Sequence, residues 1–246
     1  MIIATETKNM LLLLSLLIVF ATCSARKEPA SNTTAKANKN NAKENETYQN
    51  GEALIKSVRK GDVAAVKQLL DGGGSPNVKD TGGRGALYYA VERQNPEITR
   101  LLLSRGADVN IRDNNGGTPL IEAAGKSNTI TKLPIIKDLV DNGADVNAKD
   151  KYGQAPLVAA TAGASSIEIV KTLLDKGADV NARTDDGWTP LMGACAAGSL
   201  ELVQLLVSHG ADVNAKNKDE WTALKESLLH GCADIVKFLE ESGARE

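Results

Sequence analysis

Few residues of this chain have the chemistry of a thiol nucleophile, an imidazole base or a soft metal ligand. Three cysteines and two histidines among 246 residues are a poor stock for a metal site and too few for a disulfide scaffold. Cys195 ends the run Leu191-Met192-Gly193-Ala194-Cys195, a small apolar slot that buries a thiol and leaves it inert. Cys232 stands where the cap of a helix is expected, and a helix N-terminus lowers a thiol pKa and raises its reactivity. It reads either as a reactive thiol or as a weak cap, and both readings stay open. An oxidising compartment would permit a Cys195–Cys232 bridge. The two positions fall at different depths in neighbouring units, however, so free thiols are expected. His209 precedes Gly210 at a helix end, where a cation suits the helix dipole. Gly72-Gly73-Gly74 and Gly82-Gly83-Arg84-Gly85 resemble phosphate cradles only in isolation, because the pattern below makes them a helix stop and a hairpin. Metalloprotease, nucleophile-elbow and phosphate-loop motifs are all missing. No catalytic residue, metal ligand or cofactor is assigned, and no enzyme is expected.

Charge and composition exclude further classes. Lys and Arg total 29 against 31 Asp and Glu, for a net charge of −2, whereas nucleic-acid binding draws on a basic surplus. Aromatic residues make up 3% of the chain, which argues against a large sandwich or barrel core.

The elements that carry these residues fall into three segments. Met10–Ala21 is almost wholly Leu, Ile, Val and Phe, with Lys8 and Glu6 before it. Its length suits the apolar core of an export signal and falls short of the roughly 20 residues that span a bilayer. Residues 1–22 are read as a signal peptide. The stretch Phe20-Ala21-Thr22-Cys23 resembles a bacterial lipobox, in which the cysteine becomes the first mature residue and carries a diacylglycerol. Phe20 and Thr22 depart from the usual residues there, and cleavage after Ala25 is the competing reading. Residues 23–49 follow as a flexible tether: from Arg26 to Gln49 there is no Leu, Ile, Val, Met, Phe or Trp to bury.

Residues 50–246 repeat. Gly-Ala-Asp-Val-Asn begins at Gly106, Gly143, Gly177 and Gly210, and a degraded copy begins at Gly73. A second marker keeps the same register, at Leu87, Leu120, Leu157, Leu191 and Leu224, with steps of 33, 37, 34 and 33. Each unit has a local reading. Thr-Pro-Leu starts a helix, since Thr caps well and Pro at the first position loses no needed N–H. Small residues recur at Ser57, Ala90, Ala123, Ala160, Ala194 and Ser227, letting two helices approach. A second helix is capped at Asp62, Asn95, Ser166 or Ser199 and ends at a glycine suited to the left-handed turn. Asp-Val-Asn is read as an extended connection to the next unit.

A period near 33 with this order of signals resembles the ankyrin repeat, whose family phrase stands here as Gly187-Trp188-Thr189-Pro190-Leu191-Met192-Gly193-Ala194-Cys195. The resemblance implies an all-α solenoid of about six helix-turn-helix units with short hairpin connections. The units are 50–80, 81–113, 114–150, 151–184, 185–217 and 218–246. The third carries four extra residues between its helices, within 125–134, and regular packing is expected to be weakest there. The histidine that usually follows Thr-Pro-Leu in the family is missing throughout, which removes one tie within the hairpins.

The resemblance also implies protein binding through a concave surface of hairpin tips and first-helix faces. Mapped onto this sequence, that surface comprises Arg84, Glu92, Arg93, Asn114, Asn115, Lys126, Lys151, Tyr152, Gln154, Asp185, Asp186, Trp188, Lys218, Asp219 and Trp221. Tyr152, Trp188 and Trp221 fall at equivalent places in consecutive units. They read either as binding anchors or as covers for the hairpins. The expectation is a monomeric scaffold in the bacterial cell envelope that binds an unknown protein partner. It would touch membrane only through a lipid on Cys23 and would bind no nucleic acid. A secreted protein acting on a host target, or a redox protein using Cys232, are the alternatives.

Overall fold

The computed structural model describes residues 50–125, 131–163 and 166–245. Among these the regular secondary structure is helical apart from one isolated bridge between Lys79 and Gly85. Residues 50–60 form α1. Eleven further helices follow: α2 (Val63–Asp71), α3 (Ala86–Glu92), α4 (Pro96–Ser104), α5 (Pro119–Gly125), α6 (Lys132–Asp141), α7 (Pro156–Ala162), α8 (Ile167–Asp175), α9 (Pro190–Ala196), α10 (Leu200–Ser208), α11 (Ala223–Leu229) and α12 (Ala233–Glu241). Odd and even helices pair into six antiparallel units, and first helices stack on first helices, as α5 does on α7 and α7 on α9.

Local chemistry sets the helix boundaries. Thr118, Thr189 and Thr222 accept a hydrogen bond from the backbone N–H three residues on. Asp62, Asn95 and Ser199 do the same for the second helices, satisfying donors that the first turn leaves without partners. Ser166 and Cys232 occupy cap positions without such a bond. Gly106, Gly143, Gly177 and Gly210 all have φ between 79° and 88°, the left-handed conformation that ends each second helix.

The core is one apolar seam running between the two helix layers. Leu87, Leu120, Leu157 and Leu191 at the second repeat marker, and Ile98, Leu139, Leu173 and Leu206 from the second helices, are all buried. Each such side chain contributes roughly 1.5–3 kcal/mol relative to exposure. Ala90, Ala123, Ala160, Ala194 and Ser227 are buried between helices as their size requires, while Ser57 in the first unit is only half-buried. Packing is close where α9 meets α7: a Cβ on Gly193 would lie 2.8 Å from Thr161 Oγ1 and 3.1 Å from the Ala162 nitrogen.

The Asp-Val-Asn segment is more than an extended connection. It closes a turn, and its asparagine fastens one unit to the next. Asn77, Asn110, Asn147, Asn181 and Asn214 each donate from Nδ2 to the carbonyl of the glycine that ends the following unit's second helix, at 3.0–3.1 Å. Each Oδ1 accepts the backbone N–H two residues beyond that glycine, at 2.7–2.9 Å. This ladder runs the length of the solenoid.

The insertion of the third unit falls mainly on residues 126–130, outside the described residues, and Lys126 goes with it. On its far side Lys132 is buried and donates to the Ala124 carbonyl at 3.5 Å. Thr131 donates to Gln94 Oε1 at 2.9 Å. Both bonds tie the start of α6 to neighbouring elements. Pro134 falls in the first turn of α6, where it removes no helix hydrogen bond. Among the described residues no helix is long and apolar enough to cross a membrane.

Candidate protein-binding surface

Each hairpin tip is built by a short polar side chain that folds the backbone back on itself. Asp80 Oδ1 accepts from the Gly82 and Arg84 nitrogens, Asp113 from Asn115 and Gly117, Asp150 from Tyr152 and Gln154, and Asn217 from Asp219 and Trp221. In the fifth unit Thr184 Oγ1 takes this place, accepting from the Trp188 nitrogen at 2.9 Å. Neighbouring tips are then joined backbone to backbone. The nitrogens of Asn114, Lys151, Asp185 and Lys218 donate to the carbonyls of Gly82, Asn115, Tyr152 and Asp186 at 2.8–2.9 Å. The tips therefore form one fixed row, and the side chains that leave it are free to face a partner.

The candidate residues divide by their surroundings. Asn114, Asn115, Lys151, Tyr152, Asp185, Asp186, Lys218 and Asp219 are exposed on the row. Tyr152 is the most open large apolar group among them, at 61%, and the Lys151 ammonium sits 4.9 Å from its ring centre. Lys151 Nζ also reaches Asn115 Oδ1 at 2.5 Å, and Asn114 Nδ2 donates to the Thr81 carbonyl at 3.0 Å. The hydroxyl of Thr184 donates to Asp186 and, as the leading cause, holds its carboxyl below the usual range.

The two tryptophans sit differently from Tyr152. Trp188 is half-buried against Ala155, Val158 and Ala182. Trp221 is half-buried and donates from Nε1 to the buried Glu226 carboxylate at 2.6 Å. Both cover their hairpins. Gln154 is half-buried, as is Glu92 at the end of α3. Arg84 is half-buried beside the rings of Tyr89 and Tyr88, at 5.1 and 5.8 Å, and lies 3.6 Å from Asp80. Arg93 is exposed.

Two grooves lie between this row and the first helices. One, of about 590 Å³, is bounded by α1, residues 78–81 and Arg93. The other, of about 310 Å³, lies over α5 between the second and fourth units and is lined by Asp113, Glu122, Asp150, Tyr152 and Gln154. At its wall Tyr88 donates to Glu122 Oε2 at 2.8 Å, and burial, with that bond, pushes the Tyr88 hydroxyl pKa well up. Under the first groove Tyr89 donates to Asp80 Oδ2 at 2.5 Å. Partial burial works against the Asp80 carboxylate. The bonds from Tyr89, Arg84 and Gly82, with the Arg84 charge, outweigh it and hold its pKa below the ordinary value. These tyrosines tie the first hairpins in place, in units that lack the family's usual histidine.

Sequence reasoning missed the α1 side of the first groove, where Lys56, Arg59 and Lys60 stand. Its signal was present as the spacing of three cations over one helical turn. It also missed Tyr88 and Glu122, which meet only because adjacent units stack. Cys195 is buried and Cys232 half-buried, and both are free thiols.

The comparisons agree with this geometry. A family profile described as ankyrin repeats (3 copies) matches residues 3–113, 54–150, 106–184 and 157–245. The chain is 49% identical over 72 residues to the 2-5A-dependent ribonuclease of Mus musculus, covering 29% of this chain and 10% of that protein. It is 43% identical over 74 residues to the putative ankyrin repeat protein L271 of Acanthamoeba polyphaga mimivirus, covering 30% and 10%. An ankyrin repeat-containing protein, P1E11.10 of Schizosaccharomyces pombe, is 36% identical over 80 residues, covering 32% and 35%. The chain thus spans between a tenth and about a third of the length of these relatives. Ankyrin arrays are in general protein–protein interaction modules. With six stacked helix pairs, two hydrogen-bonded ladders and a profile match running through residue 245, the chain belongs to the ankyrin-repeat family.

Proposed function

We propose that this protein is an exported scaffold that binds another protein through its concave face. The observation that carries this reading is the fixed row of tips. Backbone hydrogen bonds join successive hairpins from Gly82 to Lys218, while Asn115, Lys151, Tyr152, Asp185 and Asp219 project from it exposed. A surface held rigid in advance loses little conformational freedom on binding. The export signal at Met10–Ala21 and the cysteine at Cys23 support a place in the bacterial cell envelope, with residues 23–49 as the tether and a lipid on Cys23 as the anchor.

Two measurements test the reading. Intact-mass analysis of the mature protein with cell fractionation tests the location: a diacylglycerol on Cys23 and recovery with membranes support it, and an N-terminus at Arg26 in the soluble fraction overturns the anchor. In-cell crosslinking tests the scaffold. A partner adduct lost in Tyr152→Ala with Asn115→Ala, at unchanged thermal stability, supports binding through the tips. Adducts that map only to the second helices overturn it.

A further inference from the structure

We propose that the groove at the first unit receives a short acidic peptide segment with an apolar side chain, making this end of the concave face an anchor for an acidic partner. The proposal rests on the scaffold reading above and deepens it. Lys56, Arg59 and Lys60 rise from α1 on one side of the groove, and Lys79 and Arg93 face them from the hairpin and from the end of α3. Among the described residues the carboxylates in the lining are Glu52 and Asp80. Asp80 is already engaged by Tyr89, Arg84 and two backbone nitrogens, so its charge answers none of the five cations.

Lys79 Nζ also donates to the Arg112 carbonyl at 2.9 Å, but three of these cations have no such task in the fold. Lys56, Lys60 and Arg93 form no ion pair among the described residues and are exposed. Lys56 and Lys60 stand one helical turn apart, a like-charge spacing that weakens a helix. Arg59 is held over the Tyr89 ring at 5.3 Å, which fixes its position without neutralising it. Ile55 and Val78 give the same groove an apolar wall, and its volume of about 590 Å³ lies within the usual span of binding clefts.

The neighbouring groove decides the class of ligand. There Asp113, Glu122 and Asp150 line the same concave face. A nucleic-acid strand or an anionic lipid surface extends well beyond one groove and would meet these carboxylates. A peptide only has to be acidic over the few residues that fill the first groove, and its leucine or valine has a wall to meet.

The test uses the full chain and a fluorescein-labelled Asp-Glu-Leu-Asp-Glu peptide, read by fluorescence anisotropy. Binding is expected to weaken as salt rises from about 50 to 300 mM and to fall at least about tenfold in Lys56→Glu with Lys60→Glu. The same peptide with Asn and Gln for its acids should not bind. Lys137→Glu with Lys171→Glu, on the second helices, should bind as the parent does. Circular dichroism of both double variants checks that they fold, and Arg93→Glu provides an independent second variant. An absent isotherm for the parent overturns the proposal, as does equal affinity in the groove variants. Binding of oligothymidylate or phosphatidylserine vesicles in place of the peptide also overturns it. A crosslinked partner that survives Lys56→Glu with Lys60→Glu, but not Tyr152→Ala with Asn115→Ala, overturns the groove while leaving the scaffold reading in place.

Discussion

The Asn110 side-chain amide donates to the Gly143 carbonyl at 3.0 Å, 33 residues along the chain, while its own oxygen accepts the Asp145 N–H at 2.8 Å. One side chain thus closes the end of the next unit's second helix and fixes the turn that follows it. Repeated five times, this contact couples neighbouring units and limits independent opening.

Asn110→Ala should therefore destabilise the solenoid although the residue is exposed. Two hydrogen bonds worth about 0.5–1.5 kcal/mol each are lost, so urea unfolding should show a loss of roughly 1–3 kcal/mol. Asn115→Ala, at an exposed tip, should stay within about 0.5 kcal/mol. Equal midpoints for the two variants would contradict the coupling.

The three aromatic residues of the tips should separate by stability. Trp221→Phe removes the N–H that meets Glu226 and leaves a buried carboxylate with fewer partners, at a cost of about 1–3 kcal/mol. Trp188→Ala exposes Ala155, Val158 and Ala182 and should also lower the melting temperature. Tyr152→Ala removes a group that is 61% exposed and should leave thermal unfolding unchanged. A Tyr152 variant melting as low as the Trp221 variant would overturn this assignment.

Asp80 should make the first hairpins acid-sensitive. Its folded pKa lies below the ordinary 3.8 because the bonds from Tyr89, Arg84 and Gly82 outweigh burial. A depressed carboxylate pKa gives stability that is fully present above the unfolded value and is lost as pH falls through the folded one. The melting-temperature gap between the parent and Asp80→Asn should be widest near neutrality and shrink as pH drops below 3.8. A gap that is constant with pH would mean that the charge plays no part.

The cysteines should differ in reactivity. Burial, foremost, pushes the Cys195 thiol up to about 11, with Glu226 and Cys232 adding to the effect and the Ser227 bond opposing it. Cys232 is half-buried at the start of α12. Iodoacetamide at pH 8 should modify the Cys232 peptide of the native protein and reach Cys195 only after urea, as read by peptide mass spectrometry. Modification of Cys195 at the same rate in the native state would contradict its burial.

The sequence determined by itself the features that depend on neighbours along the chain. The Thr caps, the Pro at the first helical position, the left-handed glycines from Gly106 to Gly210 and the buried leucines at the second marker all act within one unit. Repetition in register revealed each of them at least three times. Only the tertiary structure decided what crosses from unit to unit. Asn110 and Gly143, Tyr88 and Glu122, and Trp188 and Ala155 meet because helices stack, at separations that no local propensity encodes. The same stacking turned Trp188 inward and left Tyr152 exposed, whereas Trp221 is held by Glu226 of its own unit. It also brought Lys56 and Lys60 of α1 into one groove with Arg93 of the next unit. Charge along a sequence becomes a potential only when folding fixes the distances between its bearers.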